Sequence, residues 1–414
     1  MPSNVDLSAA HRAAASPPTY RRLLRVPGFR RLLISSLLTR TASQMWTVGL
    51  VIFALQRYHS PGVAGLSLFL LIFPGLMLSP IAGALLDRHG RKRLMTLDFI
   101  VAAVCLAVIV VLAAANRLPV WGLYALLVGG SVTSTLSLAG ARSFFPLIVP
   151  RDLWDRGNAA DSVLYGVANI AGPGLAGALI ALLGSEAALA GAAVGFVAGA
   201  LALQGVEEPA HTDEVTGRIL HEAWRGFRYV VTNRTLRWIA ISFSTLNVGW
   251  GIVIVALPVV VFNLHGNAAV VGLILALAGA AGVPAALVAG RIRTEGRERE
   301  SMALFGAVMG LAVLALLVPS IAVIAIGIAI AGGADAASSV SAFSLRQRRT
   351  ARAWFGRAFA VSIGLNFAGV PIGSALAGPV LGVSTTFAIV FAAALTLAGS
   401  AVMQIKIPAV APAA

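Results

Sequence analysis

The chain is a succession of long apolar runs separated by short polar segments. Twelve such runs begin near residues 31, 63, 94, 119, 159, 187, 238, 267, 301, 320, 357 and 384. Each run approaches the length of roughly 20 residues that an α-helix needs to cross a bilayer. The pattern therefore predicts an all-α membrane protein with twelve transmembrane helices.

Composition and charge support this interpretation and locate the chain ends. Hydrophobic residues make up 58% of the chain and charged residues 11%, whereas a soluble domain carries about 25% charge. Nearly all of the 31 Lys and Arg residues fall in every second connecting segment and the tails. The positive-inside rule then predicts that both termini are cytoplasmic. The formal charge of +15 needs no nucleic-acid partner, since these loops would lie against anionic headgroups of the lipid bilayer.

A long polar stretch after the sixth run divides the chain in two. Apolar residues recur there at helical spacing beside several arginines, which predicts an amphipathic helix at the inner surface. Patterns of the first half return in the second: Gly166 with Pro173 is echoed by Gly364 with Pro371. Such repeats predict two pseudo-symmetric six-helix halves. The expected parts are a tail (1–30), a first half (31–205), a linker (206–237), a second half (238–405) and a tail (406–414).

A dense polar loop joins the second and third apolar runs. It reads Gly83-Ala-Leu-Leu-Asp87-Arg88-His89-Gly90-Arg91-Lys92-Arg93. The spacing Gly-x-x-x-Asp-Arg-x-Gly-Arg-Lys resembles the loop signature of the major facilitator superfamily, found there between helices 2 and 3. The resemblance implies the twelve-helix major facilitator fold. It also implies a gating loop made of Gly83, Asp87, Arg88, Gly90, Arg91 and Asp98.

Within this loop we expect a charge latch. Asp98 follows Arg91 by seven residues, two turns along one helix face, so it can hold Arg91 while Asp87 caps a neighbouring helix start. The resemblance implies that such a network stabilises the outward-open state. Topology anchoring by positive charge alone is the alternative.

Two further motifs resemble exporters of the superfamily. The helix 5 segment contains Gly172, Pro173 and Gly177, like an element that lets two helices approach closely, although generic small-residue packing also explains it. The strings around Arg142 to Leu153 and Asn158 to Ala160 resemble the branch that contains enterobactin exporters and macrolide efflux proteins. They identify a branch and no substrate.

Polar side chains concentrate in helices 1, 4, 7 and 10, which in a facilitator fold line the central cavity. We expect a substrate and proton pathway there, although each Ser or Thr could instead bond back to its own helix. The pathway candidates are Arg40, Gln44, Asn247, Trp250 and Asp335.

Arg40 and Asp335 are the charges farthest from either membrane face. An intramembrane charge is costly, so each should face the cavity or a partner. Counted along their helices, the two lie at similar depth in opposite halves. An ion pair between them, direct or through water or substrate, would make Asp335 a candidate proton carrier. A purely structural pair and no contact at all are the other possibilities.

No enzyme pattern is present. The six histidines lie in tails or loops, away from Cys or acidic residues at metal-ligand spacing, so we expect no metal and no cofactor. No Walker loop occurs, which excludes ATP as the energy source. The first interpretation is a monomeric, proton-coupled exporter in a bacterial plasma membrane. Its substrate would be a small amphipathic molecule, such as a siderophore, a macrolide or another drug-like compound, moved by alternating access. The alternatives are an uptake permease of the same fold and a non-transporting membrane receptor.

Overall fold

The computed structural model describes residues 19–208, 219–291, 296–351 and 354–408. Within these ranges the chain is helical and has no β-strand. Twelve long segments follow one another and are numbered here in chain order. They are α1 (Phe29–Tyr58), α2 (Pro61–His89), α3 (Arg91–Ala114), α4 (Val120–Ile148), α5 (Trp154–Leu183), α6 (Ser185–Gln204), α7 (Arg234–Asn263), α8 (Ala268–Arg291), α9 (Glu298–Val313), α10 (Ile321–Arg349), α11 (Phe355–Phe367 and Gly369–Val383) and α12 (Thr385–Lys406).

Eleven of these described segments are long and apolar enough to cross a membrane. The exception is α1, whose first half carries Arg30, Arg31, Arg40 and several hydroxyl side chains. Its 30 residues nevertheless extend over about 45 Å, and it packs against α5 and α6. Of its polar residues, Arg30 and Arg31 are exposed near the start of the helix, whereas Ser35, Ser36 and Thr39 are buried against the neighbouring helices. The predicted all-α membrane protein is confirmed.

A local break divides α11. The first segment ends at Phe367 and the second starts at Gly369. Pro371 has no N–H to give to the carbonyl of Phe367, so the α-helical hydrogen-bond pattern cannot continue through this point. Gly369 sits at the break, where α11 passes close to α7: a Cβ there would lie 2.9 Å from the Cβ of Asn247.

The two faces of the bundle can be named from the chain ends. We call the face at which α1 begins and α12 ends the terminal face, and the opposite one the far face. The two halves meet through α5 with α8 and through α2 with α11. Gly62 and Gly378 bring the backbones of α2 and α11 into contact near the far face, since a Cβ on Gly378 would overlap the Cα of Gly62. Among the described residues, α4 makes no comparable contact with α10 or α11.

A separate amphipathic helix, Ile219–Thr232, lies between α6 and α7. Trp224 is 61% exposed, whereas Val230 is fully buried. Tyr229 stacks on Trp354 with ring centroids 5.1 Å apart, and its hydroxyl accepts a hydrogen bond from the Ala351 N–H at 3.1 Å. This linker helix therefore packs against the residues that lead into α11.

Candidate functional site

An ion pair lies within the first half, between α1 and α5. The Arg40 guanidinium is 2.9 Å from the Asp161 carboxylate, and its Cζ lies 5.7 Å from the ring centre of Tyr165. The side chains are 24% and 44% exposed, so the pair remains open to water or to a ligand. The predicted contact of Arg40 with Asp335 does not occur. Instead, α1 packs on α5 of its own half, and α5 supplies the carboxylate that pairs with Arg40.

A second polar contact between these helices lies about one turn farther along α1 and two turns farther along α5. The Gln44 amide donates to the Asn169 side-chain oxygen across α1 and α5. Gly172 makes this approach possible, because a Cβ there would lie 3.0 Å from the Thr41 carbonyl oxygen. Arg40 and Gln44 thus form a polar ladder with Asp161 and Asn169 along one seam of the first half.

The predicted helix 5 motif faces two neighbours. Gly172 packs on α1, while Gly177 packs on α8 of the other half. A Cβ on Gly177 would lie 2.8 Å from both the Ala268 carbonyl oxygen and the Gly272 Cα. Similarly, a Cβ on Gly272 would lie 2.5 Å from the Pro173 carbonyl oxygen. The motif therefore stands at the seam between the halves.

Asp335 lines a cavity of about 80 Å³ in the second half. Among the described residues it has no ion-pair partner within 4.0 Å. Asn247 of α7 shares this cavity and donates to the Asn366 carbonyl oxygen at 2.9 Å. Trp250, one turn beyond Asn247, is partly buried and packs on both main apolar clusters of the protein. The cavity is lined by Phe243, Asn247, Asp335, Ser339, Ala342, Phe343, Arg346, Ile363, Asn366 and Phe367.

Arg346 also lines this cavity. It is only 2% exposed, and its Nε donates to the Ser362 hydroxyl at 3.1 Å. The guanidinium lies between Phe243 and Phe343, with its Cζ 5.9 and 5.8 Å from the two ring centres. Its Nη2 is buried and has no hydrogen-bond partner. The Oδ1 atom of Asn366, on the same cavity, is also buried without a partner.

The loop between α2 and α3 is held by a carboxylate from the end of α6. Gly90 has φ +87°, a conformation that L side chains rarely adopt, and it is the boundary residue of both helices. The Glu208 carboxylate accepts from the backbone N–H of Arg91 at 2.8 Å and of Lys92 at 3.0 Å. These N–H groups belong to the first turn of α3, where an anion is favourable. Glu208 therefore caps α3.

The predicted loop latch gave Asp87 a capping role and Asp98 the role of holding Arg91. Gly83 and Asp87 lie on α2, but the surroundings of both are outside what the structure describes, so the capping role of Asp87 stays a prediction. Arg88 is exposed. Asp98 does not hold Arg91. It is 3% exposed and lies against the hydroxyls of Ser137 and Thr133 in α4. Helical side chains tilt towards the N-terminus, so Arg91 points away from an acid about 10.5 Å farther along the axis.

Sequence reasoning missed several of these residues. Asp161 and Asn169 lie on α5, which was not counted among the cavity helices. Arg346 was counted only as a loop cation, and Glu208 only as part of the linker. The available signal for Asp161 was an acid inside an apolar run. Among the described residues, no three His, Cys, Asp or Glu side chains cluster as metal ligands would.

Long apolar helices, a paired charge inside the bundle and glycine contacts between two halves are features of a polytopic membrane protein. The family model for the Major Facilitator Superfamily matches residues 32–374. The chain belongs to this superfamily, and the predicted family and fold class are confirmed. It is a multi-pass membrane protein and a transporter, not an enzyme.

Relatives of the chain include efflux proteins. It is 36% identical over 404 residues to an uncharacterized MFS-type transporter, y4rN, of Sinorhizobium fredii, covering 94% of this chain and 97% of the relative. It is 25% identical to the multidrug efflux pump Tap of Mycobacterium tuberculosis, covering 91% and 93%. Macrolide efflux protein A of Streptococcus pyogenes is 24% identical over 54% of each chain. These matches support the predicted resemblance to macrolide efflux proteins.

The fold is also found among solved structures. The nucleoside transporter NupG matches with a TM-score of 0.72 at 12% identity, covering 92% of this chain and 98% of that one. At this identity the likeness concerns the fold alone.

Proposed function

We propose that this protein is a proton-coupled exporter of small amphipathic molecules that works as a monomer by alternating access. The observation that carries the proposal is the similarity to an efflux pump over 91% of the chain. By the positive-inside rule, the basic loops support a cytoplasmic position for the terminal face and both chain ends in a bacterial cell. The halves 31–205 and 238–405 would rock against each other, joined by the linker 206–237.

The contacts between the halves support an inward-open state for this conformation. Gly62 with Gly378, and Gly177 with Gly272, close the halves against each other towards the far face. Comparable contacts are missing between α4 and α10 or α11 among the described residues. The conformation would therefore be closed to the outside and would admit substrate from the cytoplasmic side.

The loop between α2 and α3 would belong to the cytoplasmic gate. Glu208 joins the end of α6 to the first turn of α3, so the loop and the linker would move together. Gly83, Asp87, Arg88 and Gly90 would take part when the halves close on this side, as the superfamily signature implies.

Asp335 is our candidate for the proton carrier. It lies in the second half, on α10, and shares a cavity with Asn247 of α7 and Asn366 of α11. A carboxylate without an ionic partner can take up a proton without breaking an ion pair. Asp161 would first have to leave Arg40. Arg40 and Gln44 would line the substrate path in the first half, with Trp250 opposite.

Transport into inside-out vesicles tests the proposal. Respiration acidifies their lumen, and erythromycin or ethidium is added at the outer, formerly cytoplasmic, surface. An exporter of this kind should accumulate the probe in the lumen and release protons, which a pH-sensitive dye reports. Uptake would instead empty preloaded vesicles, and a receptor would move neither probe nor proton.

The variant Asp335→Asn should lose uphill accumulation but keep downhill exchange of the probe. Asp152→Asn is the matched control, because this acid is 47% exposed in the loop before α5 and pairs with Arg22. If Asp335→Asn accumulates probe as well as the parent, the proton carrier is another acid, and Asp161 and Asp98 would be tested next.

A further inference from the structure

Arg346 is a buried cation without an acidic partner. No carboxylate of the described residues lies within 4.0 Å of its guanidinium. Its neighbour Arg348 shows the usual arrangement, since Arg348 pairs with Glu298 at 2.6 Å. Burying a charge without a counter-charge is unfavourable. The two phenylalanine rings offset part of that cost through cation–π contacts, but they leave Nη2 without an acceptor.

The space beside Arg346 has the size of a ligand head group. The cavity measures about 80 Å³, which is room for two or three waters at about 30 Å³ each, or for one carboxylate. Phe343 and Phe367, on the same cavity, are 42% and 53% exposed. An anionic head could thus enter the cavity while an apolar body stays against the exposed rings.

The orphan donor on Arg346 matches that ligand chemistry, whereas the Asn366 Oδ1 and the Asp335 carboxylate on the same cavity are acceptors, so an anion would lie on the Arg346 side. Nη2 of Arg346 offers a charged donor, which binds an oxyanion more strongly than a neutral acceptor. We propose that the Arg346 cavity is an anion subsite that binds the carboxylate of an amphipathic, preferably aromatic, organic acid. This inference deepens the proposed transport function, since it names a substrate class for the second half.

Binding to the purified full-length protein tests the subsite without requiring transport. The probes are benzoate and 2-naphthoate, each compared with its neutral amide of nearly equal shape. The carboxylates should raise the melting temperature in a concentration-dependent way, and the amides should not. Arg346→Gln should weaken carboxylate binding about tenfold or more, because it removes a charge-assisted hydrogen bond.

Two further variants keep the result interpretable. Arg346→Lys retains the charge but loses the planar fork, so it should bind the carboxylates with intermediate affinity and still reject the amides. This rescue would not be expected of a residue that only supports the fold. Arg117→Gln removes the same charge from an exposed residue between α3 and α4 and should bind like the parent.

Either of two results would overturn the subsite. One is equal stabilisation, or none, by carboxylates and amides in the parent protein. The other is unchanged carboxylate selectivity in Arg346→Gln. Carboxylate-selective binding without proton-linked flux would leave the subsite standing and would instead contradict proton-coupled export.

Discussion

The seam between α5 and α8 offers a direct test of the conformational argument. Gly272 is buried, and a Cβ at this residue would lie 2.5 Å from the Pro173 carbonyl oxygen and 2.8 Å from the Gly177 Cα. Both obstacles are backbone atoms, which cannot rotate away as a side chain can. The change Gly272→Ala should therefore disfavour the conformation in which the far face is closed.

The magnitude follows from the overlap. Overpacking a close contact costs about 1–3 kcal/mol, which shifts a two-state equilibrium by about 5- to 150-fold. The better helix propensity of alanine does not enter this shift, because α8 is helical in both states. Gly290→Ala is the matched control in the same helix, since no atom lies within 4 Å of a Cβ placed there. It should leave the equilibrium unchanged.

Spin-label distances can read the equilibrium. The chain has a single cysteine, Cys105, which is buried and can be replaced by alanine before labels are added. One label pair at Leu183 and His265 reports the far face, and another at Arg151 and Gln347 reports the terminal face; all four residues are exposed. In Gly272→Ala the far-face distances should lengthen and the terminal-face distances shorten. Distributions identical to those of Gly290→Ala would refute the reasoning.

Three other outcomes are expected from the charges described above. Asp161→Asn should slow transport of any probe substrate, because it leaves Arg40 unpaired. The double exchange Arg40→Asp with Asp161→Arg should recover part of the transport rate. No recovery would mean that the ion pair itself is not what transport requires. Glu208→Gln should lower the transport rate while leaving probe binding intact, since a neutral amide caps α3 more weakly. The control is Glu207→Gln at the exposed neighbouring residue. A normal transport rate in Glu208→Gln would contradict the prediction. Reporter fusions after His265 should give an outside signal and those after Arg349 an inside signal. The opposite signal at both positions would show that the predicted topology is inverted.

The helices could be predicted from the sequence because a membrane-spanning helix needs a long run of apolar residues, and hydropathy detects such runs. The expected start near 94 became Arg91, and the one near 384 became Thr385. The largest error concerned α5, expected near 159 and found to begin at Trp154. Its first turn is polar, so an apolar run begins later than the helix that contains it.

The partners of the charges could not be predicted in the same way. Residue counting gives depth along a helix axis, and Arg40 with Asp335 satisfied that criterion. It gives no information on which neighbouring helix a side chain faces. Asp161 became the partner because α1 packs on α5, and such packing depends on small residues such as Gly172 that allow close approach. The same limit applies to Asp98, whose α4 neighbours belong to a distant part of the sequence.

Three carboxylates lie well inside the spans of the described residues, and their surroundings separate their roles. Asp161 is bound to a cation and partly exposed, so its charge is compensated whenever α1 and α5 are in contact. Asp98 is enclosed against α4 hydroxyls, away from the seams between the halves. Asp335 alone shares a cavity with residues from two other helices of the second half, α7 and α11. Since α2 contacts both α7 and α11, a movement between the halves would act on two of the helices that line this cavity. This arrangement is why we propose Asp335, rather than Asp161 or Asp98, as the proton carrier of the transport cycle.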